Sequence, residues 1–169
     1  NIRKAAFLEF RMVHPKNEEL TDKLFEKGLA PAGYKIVPMD EQGYNGQYTT
    51  RYYYKRDKGE GENALTDQEA RARLKTFEPV AGYEFLLMKI TKQNAELFSP
   101  YYVNRLHELT GDELKSAGVD YQNFGQPIVT LRFDAKGARR FSRLTSDYAP
   151  GGAANPDPNG QRFLAIVLD

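Results

Sequence analysis

Two histidines, His14 and His107, are the first side chains to consider for catalysis or metal binding, because the chain contains no cysteine. They lie far apart in the sequence and share no ligand spacing such as HExxH. His14 precedes Pro15 at the end of one predicted strand, and His107 lies within another. We therefore predict surface or partly packed histidines and no metal site. Without thiols, no disulfide or thiolate nucleophile is possible.

The other polar residues form no motif for covalent chemistry. No glycine-rich segment carries the lysine of a phosphate-binding loop in the required order, and no GxSxG sequence presents a serine nucleophile. Acidic pairs such as Asp112-Glu113 would serve a glycosidase only if two carboxylates faced each other across a cleft. We predict a protein that is not an enzyme and binds no cofactor.

The tyrosine-rich segment Gln47–Arg56 (QYTTRYYYKR) is the most unusual feature of the chain. Its alternation predicts a strand with Tyr48, Tyr52 and Tyr54 on one face and Tyr53 on the other. Three interpretations remain open: sheet packing, because tyrosine is favoured in strands; a contact surface for polypeptide; and a stacking platform for nucleic acid. The near balance of 24 basic and 23 acidic residues argues against the last, since nucleic-acid binding calls for excess positive charge.

The elements that must position these residues predict an α+β protein with mostly antiparallel sheets and helices packed on one face. Eight strands are expected: Ala5–Val13, Tyr34–Val37 (ended by Pro38), Gln47–Arg56, Tyr83–Thr91, Tyr101–Leu109, Leu114–Tyr121, Pro127–Phe133 and Arg162–Leu168. The last of these is apolar along most of its length, so we expect it inside a sheet.

Three helices are expected between these strands. Asn17 is predicted to cap a helix from Glu18 to Lys27 that Gly28 ends, and a capping box at Thr66 begins the second, which runs to about Thr76. Asp134 caps the third, which continues to Ser146. The side chains on the inner face of this third helix are predicted to be Ala138, Phe141, Leu144 and Thr145.

The 169 residues allow one domain of ordinary size or two very small ones. We predict three segments: a first strand-helix-strand at 1–39, an extended middle region with a strand-helix-strand insert at 40–108, and a closing strand-helix-strand at 109–169. The chain begins at Asn1 without Met, which suggests a trimmed or processed chain. No stretch approaches the roughly 20 apolar residues of a membrane-spanning helix.

Five segments together resemble the large extracytoplasmic domain of the SecD and SecDF protein-export family. The most specific stretch is Pro127–Thr145, a strand followed by Gly-Ala-x-x-Phe and a Leu-Thr pair on a helix. In this motif we expect Gly137 and Ala138 to bring the helix close to the sheet. The other four segments are Leu8–Val13 (LEFRMV), Gly33–Val37 (GYKIV), Leu109–Ala117 (LTGDELKSA) and Gly160–Asp169 (GQRFLAIVLD).

The chain departs from the family pattern in two ways. Residues 40–108 form a longer middle region than compact members carry, and the loop 147–160 is also extended. The family continues after the position of Asp169 with further strands and membrane helices, so we expect part of the native sheet to lie beyond it.

The resemblance implies a ferredoxin-like fold and a role in Sec-dependent export, on the periplasmic or extracytoplasmic side of the bacterial inner membrane. The implied partners are a separate or fused SecF, the SecYEG translocon and unfolded preprotein. Coupling to the proton gradient belongs to membrane helices outside this chain. We predict Tyr52, Tyr54, Tyr101 and Tyr102 as polypeptide contacts. An RRM-like nucleic-acid-binding module and a small phosphatase of ferredoxin-like fold remain the alternatives.

Overall fold

A computed structural model describes residues 8–121 and 127–168 of the chain. Its helices and strands confirm the predicted α+β class. In chain order they are β1 (Leu8–Met12), α1 (Asn17–Glu26), β2 (Tyr34–Gln42), β3 (Tyr48–Arg56), α2 (Asp67–Leu74), β4 (Tyr83–Lys92), β5 (Ala95–Asn104), β6 (Leu109–Thr110), β7 (Leu114–Tyr121), β8 (Pro127–Phe133), α3 (Ala135–Tyr148) and β9 (Leu164–Leu168).

The chain divides into two compact units. The middle unit is Lys16–Val103, and the end unit combines the two chain ends, through Pro15 and from Asn104 on. The predicted division into segments 1–39, 40–108 and 109–169 stays a prediction, as does the ferredoxin-like arrangement.

A four-stranded sheet in the order β2-β3-β5-β4 forms the middle unit, and β2 pairs with β3 in antiparallel register along its whole length. The two helices of this unit, α1 and α2, pack on the same hydrophobic core. Leu24 of α1 is buried in that core, and Leu74 of α2 packs against it. The buried strand residues of this core are Tyr54, Phe85 and Tyr102.

Two features of α1 show how the sequence shapes this unit. Gly28 has φ 69° and donates to Phe25 O while Leu29 N bonds Leu24 O, which confirms the predicted glycine cap. The predicted Asn17 cap is wrong, because Asn17 is already the first helical residue. Its Oδ1 instead accepts from Tyr102 N at 2.7 Å and so ties the helix to β5.

The end unit contains a three-stranded sheet in the order β6-β1-β9, the β7-β8 pair and α3. Its buried core consists of Phe10, Met12, Leu109 and Leu144. Phe133 and Phe141 pack against that core with their ring centroids 4.8 Å apart. The unit therefore buries α3 against side chains from both of its sheets.

Three strand predictions need correction. Pro38 does not end β2, which continues to Gln42; at a sheet edge, the missing N–H of proline need not cost a ladder bond. The strand predicted at Tyr101–Leu109 is β5, Ala95–Asn104, followed by the short β6. Its start was missed because Gln93 and Asn94, both at positive φ, make the preceding turn without glycine or proline.

The third correction concerns the last strand, which was expected inside a sheet. Within residues 8–121 and 127–168, β9 lies at the edge of its sheet, beside β1. Ile166, opposite Phe10 in that pairing, is 43% exposed. Of the first predicted strand, residues 5–7 lie outside the described part of the chain.

Candidate functional site

Two of the four tyrosines predicted as polypeptide contacts are core residues. Tyr54 is 0% exposed and donates its hydroxyl to Leu29 O at 2.7 Å, and Tyr102 is 2% exposed and donates to Glu78 O at 2.8 Å. Burial raises the pKa of Tyr102 to about 12 and raises that of Tyr54 further, because a phenolate would lose its hydration. Because neither ring is accessible, contact with an outside polypeptide is ruled out for both in this structure.

The other two predicted contacts remain accessible to different degrees. Tyr52 is 50% exposed, and its ring stacks on Phe25 with the centroids 6.1 Å apart. Tyr101 is half-buried on β5. The four tyrosines do not form one surface, since Tyr101 and Tyr102 are sequence neighbours and so lie on opposite faces of their strand. A contact role for Tyr52 and Tyr101 stays a prediction.

Among the tyrosines whose burial the structure describes, the most exposed lie at the β2-β3 hairpin, outside the predicted set. Tyr44 at the turn is fully exposed and Tyr48 at the start of β3 is 71% exposed. Every residue from Gln42 to Tyr52 is exposed. A signal for this hairpin was present in the sequence, because no charged residue lies between Glu41 and Arg51 in a chain that is 28% charged.

A polar cluster occupies the opposite face of the same hairpin at its base. Tyr53 donates its hydroxyl to Glu41 Oε1 at 2.6 Å, and Lys92 contacts the same oxygen while its ammonium lies 5.3 Å from the centre of the Tyr53 ring. Arg51 Nε lies 3.3 Å from the second carboxylate oxygen. The bond from Lys92 lowers the pKa of Glu41, and the same bond raises the pKa of Lys92. These mutual bonds fix the hairpin to the sheet and leave no free nucleophile or base.

The motif Gly-Ala-x-x-Phe on α3 is a packing device in the end unit. Gly137 is buried, and a Cβ at this position would come within 2.5 Å of Glu113 O, so only glycine fits there without a shift. Phe141 and Leu144 pack in the core as predicted. Ala138 and Thr145 are exposed, so their assignment to the inner face of the helix was wrong. Gly137 and Leu144 are buried and Phe141 and Tyr148 are partly buried, and these four positions form a stripe spaced by three and four residues.

An apolar groove of about 490 Å³ lies beside α3 in the same unit. The guanidinium of Arg162 lies 5.0 Å from the centre of the Tyr148 ring at this groove. The other lining residues include Met12, Leu144, Pro150, Phe163 and Leu164. Such a lining offers apolar contact and one cation, and no arrangement for proton transfer.

The two histidines stay apart from any ligand cluster. His107 is half-exposed with Nδ1 4.0 Å from Glu9 Oε1. Within residues 8–121 and 127–168 there is no group of three or more His, Cys, Asp or Glu side chains that could hold a metal ion. No helix in that part of the chain is long and apolar enough to cross a membrane.

The comparisons with known proteins each cover part of the chain. Residues 87–169 match the family described as SecDF, P1 head subdomain. Protein translocase subunit SecD of Magnetococcus marinus is 31% identical over 70 residues, which is 41% of this chain and 11% of that protein. Protein translocase subunit SecD of Acidaminococcus fermentans is 38% identical over 61 residues, 36% of this chain and 12% of that protein.

These matches cover about a tenth of each relative's own length, at 11% and 12%. No solved structure matches the chain. Neither the family match nor the two relatives favour an RRM-like module. The matched family confirms the resemblance to SecD and SecDF proteins that the sequence motifs carry, and residues 87–169, just under half of the chain, belong to the SecDF P1 head subdomain family.

Proposed function

We propose that this chain is the extracytoplasmic domain of a Sec translocon accessory subunit that assists the export of unfolded preproteins. The match of residues 87–169 to the SecDF P1 head subdomain carries the proposal. Both relatives are named protein translocase subunit SecD, which supports a role in protein translocation here. On this proposal the domain binds polypeptide reversibly and does no covalent chemistry.

The proposed partners are SecF, the SecYEG translocon and the preprotein, on the periplasmic side of the inner membrane. Proton-gradient coupling is assigned to membrane helices of the parent protein, and this domain supplies the polypeptide contact. The structure is compatible with this role because large side chains such as Tyr48 and Tyr52 are exposed, at 71% and 50%. Exposed aromatic rings provide contact area at a small cost in side-chain entropy.

The proposal is tested by removing the segment that encodes this domain, in frame, from the chromosomal gene. We expect the precursor of a secreted protein to accumulate in a pulse-chase experiment, because the late stage of export is slowed. Restoring the segment is the control. Normal processing kinetics after the deletion would contradict a role in export.

The location is tested separately by thiol labelling, since the chain has no cysteine of its own. Ser142 is exposed on α3, so Ser142→Cys introduces one reactive thiol. In intact cells with a permeable outer membrane, a membrane-impermeant maleimide should label this variant within the full-length parent protein. Labelling only after the inner membrane is lysed would contradict the extracytoplasmic location.

A further inference from the structure

The β2-β3 hairpin projects an exposed aromatic surface that the packing of the middle unit does not explain. Residues Gln42–Tyr52, which we call the tyrosine arm, are exposed at every position, so neither face of this part of the ribbon is covered. Tyr44, Tyr48 and Tyr52 are fully, 71% and 50% exposed. Rings that serve the packing of a core are buried, as Tyr54 is at 0% exposure on the same strand.

The arm is an ordered ribbon even though nothing covers it. Gly43 N bonds Gln47 O at 2.8 Å across the turn, where Gly46 takes the positive φ of 78°. Along the strands, Thr50 Oγ1 donates to Asp40 Oδ1 at 2.7 Å. A partner would therefore meet preorganised rings, which reduces the entropy lost on binding.

The rings are spaced along one side of this ribbon. Tyr48 and Tyr52 lie four residues apart on β3 and so share a face. Tyr48 and Tyr52 are therefore about 13 Å apart along the strand, which is the length of about four residues of an extended chain. Tyr52 also stacks on Phe25, which links the lower end of the row to α1.

The composition of the arm identifies the class of partner. Arg51 is the one charged residue of the arm, and its Nε lies 3.3 Å from Glu41 Oε2, so this cation already has a carboxylate partner. The arm therefore offers little to phosphates, to anionic lipid headgroups or to a charged peptide motif. Between Glu41 and Arg51 the side chains are tyrosine, asparagine, glutamine and threonine, with glycines at the turn. This is the composition of binding surfaces that combine rigid aromatic contact with adaptable hydrogen bonding to amide groups.

We infer that the tyrosine arm is a docking surface for extended, unfolded polypeptide, which it binds through aromatic contact and backbone hydrogen bonds without selecting a sequence. The inference rests on the proposed function, because it supplies a contact surface for the exported preprotein. It replaces the buried Tyr54 and Tyr102 with the accessible Tyr44 and Tyr48.

The test is a fluorescence anisotropy titration of the whole 169-residue chain. The probe is a labelled globular protein that has been reduced and carbamidomethylated so that it cannot refold, and the same protein with its disulfides intact is the folded counterpart. We expect the unfolded probe to bind and the folded one to bind at least about tenfold more weakly. The double variant Tyr44→Ser/Tyr48→Ser should bind the unfolded probe about tenfold more weakly, the loss expected for one strong anchor or two modest ones.

Two control variants accompany this measurement. Phe163→Ser removes an aromatic ring of similar exposure, 63%, from the end unit and should leave the affinity unchanged. Tyr44→Phe/Tyr48→Phe keeps both rings and should retain binding within about threefold, since a surface hydroxyl contributes little. The double serine variant should keep the wild-type Tm, because both rings are exposed.

Four results would overturn the inference. Unchanged affinity in the double serine variant would move the contact elsewhere while leaving the proposed function intact. Equal binding of the folded probe would mean that the arm recognises folded surfaces. Self-association that is lost in the double serine variant would make a second copy the occupant. If the wild type does not bind the unfolded probe, the inference fails, and the export assay above decides separately whether the proposed function survives.

Discussion

The close approach of α3 to Glu113 gives the sharpest test of the structure, through the substitution Gly137→Ala. Gly137 lies in the first turn of α3, where its N–H donates to the capping oxygen Asp134 Oδ1 at 2.7 Å. An added Cβ would lie 2.5 Å from Glu113 O and 3.0 Å from Glu113 Cβ. The nearest obstacle is a backbone oxygen that already accepts from Asp134 N at 3.0 Å, so it cannot rotate out of the way.

Two opposing effects set the magnitude. Alanine is favoured over glycine in a helix by about 1 kcal/mol. Overpacking in a core costs about 1 to 3 kcal/mol, and a rigid obstacle places this site at or above the upper end of that range. We therefore expect Gly137→Ala to lower the free energy of unfolding by about 2 kcal/mol, which for a domain of this size lowers Tm by about 4 to 8 °C.

Denaturant unfolding followed by circular dichroism measures this difference directly. The matched control is Gly118→Ala in β7 of the same unit, where an added Cβ meets nothing within 4 Å. We expect that control to stay within about 0.5 kcal/mol of wild type or to be slightly more stable. If Gly137→Ala unfolds at the same or a higher denaturant concentration than wild type, the helix does not approach the Glu113 carbonyl as described.

Three further predictions concern the middle unit. Tyr102→Phe removes the bond to Glu78 O and should cost about 1 kcal/mol at neutral pH by denaturant unfolding. Burial raises the pKa of Tyr102 to about 12, so the contribution of this residue to the free energy of unfolding is complete below pH 10 and is lost as pH rises from 10 to 12. Tyr102→Phe should therefore lose less stability over this pH range than wild type. If both proteins lose stability equally with rising pH, Tyr102 is not buried as described. The bond from Lys92 lowers the pKa of Glu41, so Glu41→Gln should lower the free energy of unfolding by up to about 1 kcal/mol at neutral pH. This difference from wild type should vanish as pH falls below 4.5, because the carboxylate becomes protonated in the folded protein. A difference that does not change with pH would refute the pairing. Thr66→Ala removes the capping box and should cost about 1 kcal/mol in thermal unfolding, whereas an unchanged Tm would mean that α2 does not depend on it.

Local patterns predicted the elements of this protein well because their causes are local. The glycine at position 28 ends α1, the capping box at Thr66 begins α2, and Asp134 caps α3, each as the sequence indicates. Capping depends on atoms within a few residues of one another, so it can be read without knowing the fold. The family motif on α3 was recognisable for the same reason.

Which face of an element is buried depended on partners far away in the chain. Ala138 was predicted inside and is exposed, because the helix turns the stripe of Gly137, Phe141 and Leu144 toward the core. Asn17 looked like a helix cap, yet its oxygen accepts from Tyr102, a residue 85 positions away. Only the packed structure brings such pairs together.

The tyrosines show this division most clearly. Alternation along β3 determined that Tyr48, Tyr52 and Tyr54 share one face, since side chains of a strand repeat every two residues. It could not determine that this face is covered by α1 at Tyr54 and free at Tyr48, with exposures of 0% and 71%. The strand period is a property of the backbone, whereas coverage is set by where the helices lie over the sheet, and so the tertiary structure decided which tyrosines can reach a partner.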